Sequence, residues 1–197
     1  MKNIFKTSIM HVFCSIIIAC NTSYTPKPTG YFKIDLPKHT YQTFNKANYP
    51  YTFQYPIYAN IVQDSSFFNE KPDNPWWINI DFPTFNARIY ISYKSIKKNS
   101  FEKLLADAYK MTFKQSYKAT AIEDSVFYTA NGLSGTLFHV KGNAATAYQF
   151  FITDSIKHFL RGALYFNTAP NEDSLSIVND FLLQDLKYLT NTFTWIK

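Results

Sequence analysis

From Trp76 to Tyr93 the chain reads WWINIDFPTFNARIYISY, two runs in which apolar and polar residues alternate. Successive side chains of an extended strand point to opposite faces, so this alternation marks strands with one buried face. In the first run Ile78, Ile80 and Phe82 share a face, with Trp77, Asn79 and Asp81 on the other. In the second run Ala87, Ile89, Ile91 and Tyr93 share a face. The PTF between them reads as a hairpin turn. A chain with this pair is committed to an antiparallel sheet that covers a core on one side.

Other segments extend the pattern. YPYTFQYP, Tyr49 to Pro56, alternates between prolines and predicts a first strand of edge type, with Ile57 to Val62 read as its continuation. The SSFFNEKPDNP that follows is a loop. Ser100 stands as an N-cap before Phe101, Leu104, Leu105, Ala108 and Met111, whose spacing predicts a helix over 101–116. A meander follows: Thr120 to Tyr128, Leu133 to Val140, Thr146 to Thr153 and His158 to Asn167. Asn131-Gly132 is the clearest hairpin signal, KGN at Lys141 to Asn143 gives a second turn, and TDSIK a third. Asp173 or Ser174 is placed as the cap of a final helix carrying Leu175, Val178, Leu182, Leu186 and Leu189. Strands, helix, strands, helix is the order of an α+β domain, an antiparallel sheet with two main helices packed on it.

The first 20 residues belong to a different problem. Lys2 and Lys6 precede an apolar stretch from Ile9 to Ala19, and Cys20 follows at once. This is the plan of an export signal, too short to span a bilayer stably. Ile17-Ile18-Ala19-Cys20 resembles a bacterial lipobox. In that chemistry the Cys20 thiol is acylated, a peptidase cuts after Ala19, and the new N-terminus carries acyl chains such as palmitate. Several chains on one residue anchor stably where one is marginal. NTSYTPKPT, Asn21 to Thr29, reads as a proline-stiffened tether, and GYFKIDLP, Gly30 to Pro37, as an extended segment docked on the domain. The expected organisation is a removed signal over 1–19, an anchored tether over 20–30 and one globular domain over 31–197. Cys14 leaves with the signal, so the mature chain has no disulfide to form.

The formal charge of +6 falls to +4 without the leader's two lysines, a mild excess compatible with an anionic bilayer. There is no basic run beyond Lys97-Lys98 and no nucleic-acid motif, so nucleic acid is not an expected partner.

YTPKPTGYFKIDLP after the cysteine, YPYTFQYP, WWINIDFP with FNARIYISYK, KGNAATAYQFFITDSIKHFLRGALYFN and DSLSIVNDFLLQDLKYLTNTFTW together resemble the gliding-motility lipoprotein GldD family of the Bacteroidota. The resemblance covers nearly the whole mature chain, and FFITDSIKHFLRGALYFN is its most specific block. It implies a cell-envelope lipoprotein needed for gliding and for the linked secretion machinery, with other envelope proteins as partners and a periplasm-facing domain. It implies no catalytic activity, and Cys20 is the one functional position it transfers. The strand and helix order is also similar to the Mog1/PsbP-type scaffold, which says little about function.

Chemical constellations are sparse. Asn131 to Gly135, NGLSG, lacks the G-x-S-x-G spacing of a nucleophile elbow and reads as a turn. His11, His39, His139 and His158 are scattered, with no zinc-type spacing, so no metal and no cofactor is expected. Arg161 sits in an apolar strand and faces away from His158. It is expected in a buried ion pair with Asp154 or Asp81, with a partner contact as the other reading. Of Trp76 and Trp77, one is expected in the core and the other partly exposed, as a candidate partner contact or as a cover on its own sheet. Asp124-Ser125-Val126, Asp154-Ser155-Ile156 and Asp173-Ser174-Leu175 resemble the short O-glycosylation signal of Bacteroidota envelopes, and equally suit turns and caps. The leading expectation is a non-catalytic assembly subunit, and the alternative is a periplasmic lipid- or glycan-binding module with an apolar pocket.

Overall fold

A computed structural model describes residues 33–64 and 72–196 of the chain. The export signal, Ala19, Cys20 and the whole of the tether lie outside the described residues, as do residues 65–71 of the loop before β4. From Asp35 onward the chain packs as one unit.

Among the described residues it has ten strands and two α-helices. β1 (Tyr41–Phe44), β2 (Tyr51–Pro56) and β10 (Thr194–Trp195) make a small antiparallel sheet in the order β1-β2-β10. β3 (Asn60–Gln63), β4 (Ile78–Phe82), β5 (Ala87–Ser95), β6 (Ala119–Tyr128), β7 (Ser134–Gly142), β8 (Tyr148–Thr153) and β9 (His158–Phe166) make the main sheet. Its order is β3-β4-β5-β9-β8-β7-β6, antiparallel throughout. Helix α1 spans Phe101–Phe113 and α2 Glu172–Thr192. The α+β architecture and the two helices expected from the pattern are present.

The two faces of the main sheet meet different partners. Ile78, Ile80, Phe82, Ile89, Ile91, Phe150, Leu160 and Leu164 turn to one side and pack with β2 and with Val178, Phe181, Leu182, Leu186 and Leu189 of α2. Tyr51, Phe53 and Phe193 are wholly buried at the centre of this core. Each such side chain contributes roughly 1.5–3 kcal/mol by leaving water. On the opposite face Leu104 and Ala108 of α1 pack with Phe138, Phe151 and Phe159.

Turns follow their residues. Pro83–Phe85 is a single 3-10 turn closed by Asn86 in the left-handed region, φ 49°. Gly132 takes φ 76° in the β6–β7 hairpin, a value that costs a glycine little. At the β8–β9 turn the Asp154 carboxylate accepts from the backbone N–H groups of Ile156, Lys157 and His158 at 2.8–3.0 Å. Burial alone raises the Asp154 pKa, but these three donors outweigh it and hold the carboxyl below its usual range.

Several expectations need correction. β2 is the central strand of the small sheet, flanked by β1 and β10, and is no edge strand. Its prolines do not interrupt the ladder: Pro50 precedes it and Pro56 ends it opposite Tyr41. Ile57 to Val62 does not continue β2; the chain turns after Pro56, and β3 joins the main sheet instead. Helix α1 ends at Phe113, and Met111 points to solvent while Thr112 is buried, because the inward stripe runs 104, 108, 112. The cap of α2 is Asn171, whose side chain accepts from Ser174 N–H at 3.0 Å, and not Asp173 or Ser174. Of GYFKIDLP, read as a segment docked on the domain, residues 30–32 lie outside the described residues, Lys33 to Leu36 are exposed and Pro37 is half-buried.

Ser100 caps α1 as expected, its hydroxyl accepting from Lys103 N–H at 3.1 Å. Replacing Ser100 with alanine leaves that donor to water and is expected to cost about 1 kcal/mol. Thermal melting checks this, and an unchanged midpoint would remove the cap from the stability of α1.

Candidate functional site

The described domain begins on a buried carboxylate. Asp185 lies on the apolar stripe of α2, between Leu182 and Leu186, and its side chain is 1% exposed. A charged group there is costly unless it is fully bonded. Its Oδ1 accepts from His39 Nδ1 at 2.7 Å and from the Tyr41 hydroxyl at 3.1 Å, and its Oδ2 accepts from Tyr58. Rings close over these bonds: His39 stacks on Phe181 at 4.3 Å and Tyr41 on Tyr188 at 3.7 Å. Burial and then Asp185 push the Tyr58 phenol well above its usual range, so it stays a donor. Three charge-assisted bonds on one buried anion make a rigid linkage between the entry of the domain and its C-terminal helix. Sequence reading missed it. The available signal was one acid, Asp185, inside the run of leucines of the last helix.

A second cluster holds the tryptophan pair. Trp77 is buried, and its indole N–H donates to the Tyr93 carbonyl at 2.9 Å. Trp76 is half-buried, sits edge-on to Tyr93 at 5.4 Å and donates to the Asn48 carbonyl at 2.6 Å. One tryptophan is thus in the core and the other at the surface, bonded to its own domain. The Tyr93 hydroxyl lies 2.8 Å from His158 Nδ1, and the His158 ring stacks on Trp195 at 4.7 Å. Burial lowers the His158 pKa and outweighs the nearby Asp154 carboxylate.

Arg161 does not make the ion pair expected of it. Its guanidinium donates to Gln149 Oε1, which also accepts from Thr112 at 3.2 Å. Asp81 is opposite Arg88 across the β4–β5 ladder and is taken by it at 2.5 and 2.8 Å. Asp154 is occupied by its turn. The alternation of β9 placed Arg161 on the correct face, but the sheet order sets β4 two strands away. Burial works against the Arg161 charge.

Among the described residues no group of three His, Cys, Asp or Glu side chains converges, and no helix is long and apolar enough to cross a membrane. The family model of the gliding motility lipoprotein GldD matches residues 21–195. The chain belongs to the gliding motility lipoprotein GldD family. No curated protein matches it. Among solved structures it is similar to the solution structure of cyanobacterial PsbP (CyanoP) from Synechocystis sp. PCC 6803 at 11% identity. That likeness covers 86% of this chain and 100% of the other, with a TM-score of 0.49, and is too remote to carry a conclusion. Family membership makes the protein a gliding motility lipoprotein.

Proposed function

We propose that this GldD-family chain is a non-catalytic subunit of the gliding apparatus and of its linked secretion machinery, held on the membrane by acyl chains on Cys20 after cleavage at Ala19. Its domain faces the periplasm and works through contacts with other envelope proteins. The observation that supports this reading is the Asp185 linkage, which ties His39 and Tyr41, near the start of the described domain, to its C-terminal helix. A tethered domain that presents one surface to partners needs such a fixed entry. Trp76 is the half-exposed aromatic proposed for contact, set edge-on against Tyr93 next to buried Trp77 in sequence, and Arg161 is the proposed polar contact beside Gln149.

Cys20→Ala tests the anchor in cells of the host. The variant is expected to leave the membrane fraction and to abolish spreading. Its retention in the membrane fraction overturns the anchor.

A ligand-binding module is the second reading. It is favoured by a groove of about 590 Å³ lined by Asp81, Arg88, Tyr90 and Tyr165, the mixture of rings and polar groups that suits a glycan. Resonance shifts at these residues on adding envelope polysaccharide support it, and their absence removes it.

A further inference from the structure

β6 closes one end of the main sheet and, at ten residues, is its longest strand. Among the described residues only one of its edges is paired, to β7. Thr129 N–H donates to the Leu133 carbonyl at 2.9 Å, and on the far side of β7 Val140 N–H reaches the Ala147 carbonyl at 2.8 Å. Backbone groups alternate in direction along an antiparallel pair. Glu123, Ser125 and Phe127 therefore turn their N–H and C=O groups toward β7. Ile122, Asp124, Val126 and Tyr128 turn theirs outward.

Natural proteins guard such an edge with brevity, lysine, proline or a covering segment. β3, at the other end of the sheet, has four residues. β6 has no lysine and no proline, and Val126 and Tyr128 are 61% and 78% exposed. Its one irregularity, at Ala119/Ala121, touches only the first residues.

The walls beside the edge differ. On the α2 side a groove of about 250 Å³ is lined by Phe127, Leu137, Leu186 and Lys187. On the α1 side Asp124 accepts from the Tyr109 hydroxyl at 3.2 Å, and among the described residues no basic side chain pairs with it. Glu123, by contrast, is neutralised by Lys141 at 2.5 Å. A second copy of this chain fits poorly. Of the antiparallel registers of fullest overlap, the one centred on Asp124 sets this carboxylate against its own copy, and the one centred on Glu123 sets the two Asp124 carboxylates as diagonal neighbours, both unfavourable.

We propose that β6 is a docking edge for an extended segment of a partner protein, which adds to the sheet as a further strand. The segment carries Lys or Arg opposite Asp124 on the α1 side and an aliphatic side chain in the Phe127–Leu186 groove. Main-chain bonds to Ile122, Asp124, Val126 and Tyr128 supply affinity, and the two walls supply selection. This rests on the reading that the protein acts through protein contacts. Its test reads β6 and the Cys20→Ala test reads the membrane, so either can fail alone.

The acylated chain in detergent is mixed with a synthetic peptide of alternating valine and threonine carrying one central lysine, and with a twin carrying glutamate there. The lysine peptide is expected to slow amide exchange at the four outward residues by roughly tenfold, and the glutamate twin far less. Val126→Pro removes an outward donor without breaking the β7 ladder, and is expected to abolish the effect. Asp124→Lys is expected to reverse the preference between the peptides, whether or not the proline variant folds. The proposal is overturned by no slowing, by equal slowing with both peptides, or by a folded proline variant that responds like the parent. It is equally overturned if these amides are already protected in the chain alone or become so as its concentration rises.

Discussion

Asp185→Ala is expected to lower the melting temperature by roughly 6–12 °C, the equivalent of about 3 kcal/mol in a domain of this size. The substitution removes a buried acceptor and strands three donors, His39, Tyr41 and Tyr58, at the domain entry. Leaving donors unsatisfied costs more than the bonds contribute net, which is why the loss is large. Asp185→Asn keeps the size and one acceptor oxygen, and about half the loss is expected. A local readout separates the linkage from general stability. Lys38 is exposed beside His39, so tryptic cleavage there should accelerate in Asp185→Ala well below the melting temperature. A midpoint within about 2 °C of the parent would show that the cluster does not hold the entry segment.

The second large effect is expected at Gly162. It lies directly opposite Phe150 across the β8–β9 ladder, and the wholly buried Phe150 ring covers it. A methyl group there collides with the Phe150 Cε1 and Cζ atoms. Neither can yield, because the ring is packed on all sides in the main core. Gly162→Ala is therefore expected to cost about 2–3 kcal/mol, at the upper end for an added methyl in a packed core. Phe150→Leu makes room. The double variant Gly162→Ala, Phe150→Leu should be more stable than the sum of the single losses by at least about 1 kcal/mol. Additive losses would mean that the ring is not what excludes the methyl.

These two sites show where sequence reasoning reached and where it stopped. Hydrophobic period reports which face of an element is buried. It therefore placed Ile78, Ile80 and Phe82 on the core side and Val178, Leu182, Leu186 and Leu189 on the inner stripe of α2. Period is silent on neighbours. β2 read as an edge because prolines bracket it, yet the strands that flank it come from opposite ends of the domain. YQTF, which forms β1, is short and has no apolar alternation to announce it. Burial of a cation demands a partner, and sequence alone points Arg161 to a carboxylate. The partner is the neutral Gln149, a choice that depends on the order of strands and not on β9. Asp185 broke the stripe of the last helix, and an acid in such a place is a question addressed to residues far away in sequence. His39 answers it from 146 positions upstream.

The small sheet has a mechanical consequence. β1 stands near the start of the described domain and β10 near its end, and both are zipped to β2, one on each side. A pull delivered through an acylated Cys20 would peel β1 from β2 pair by pair, the weakest way to load a hairpin. His39 stands ahead of Tyr41, so the force meets the Asp185 latch first and passes into the body of α2. The strand pair is left unloaded until that latch opens. A gliding cell that tugs on its lipoproteins would thus strain a helix seated in the core before it reached the hairpin at the edge.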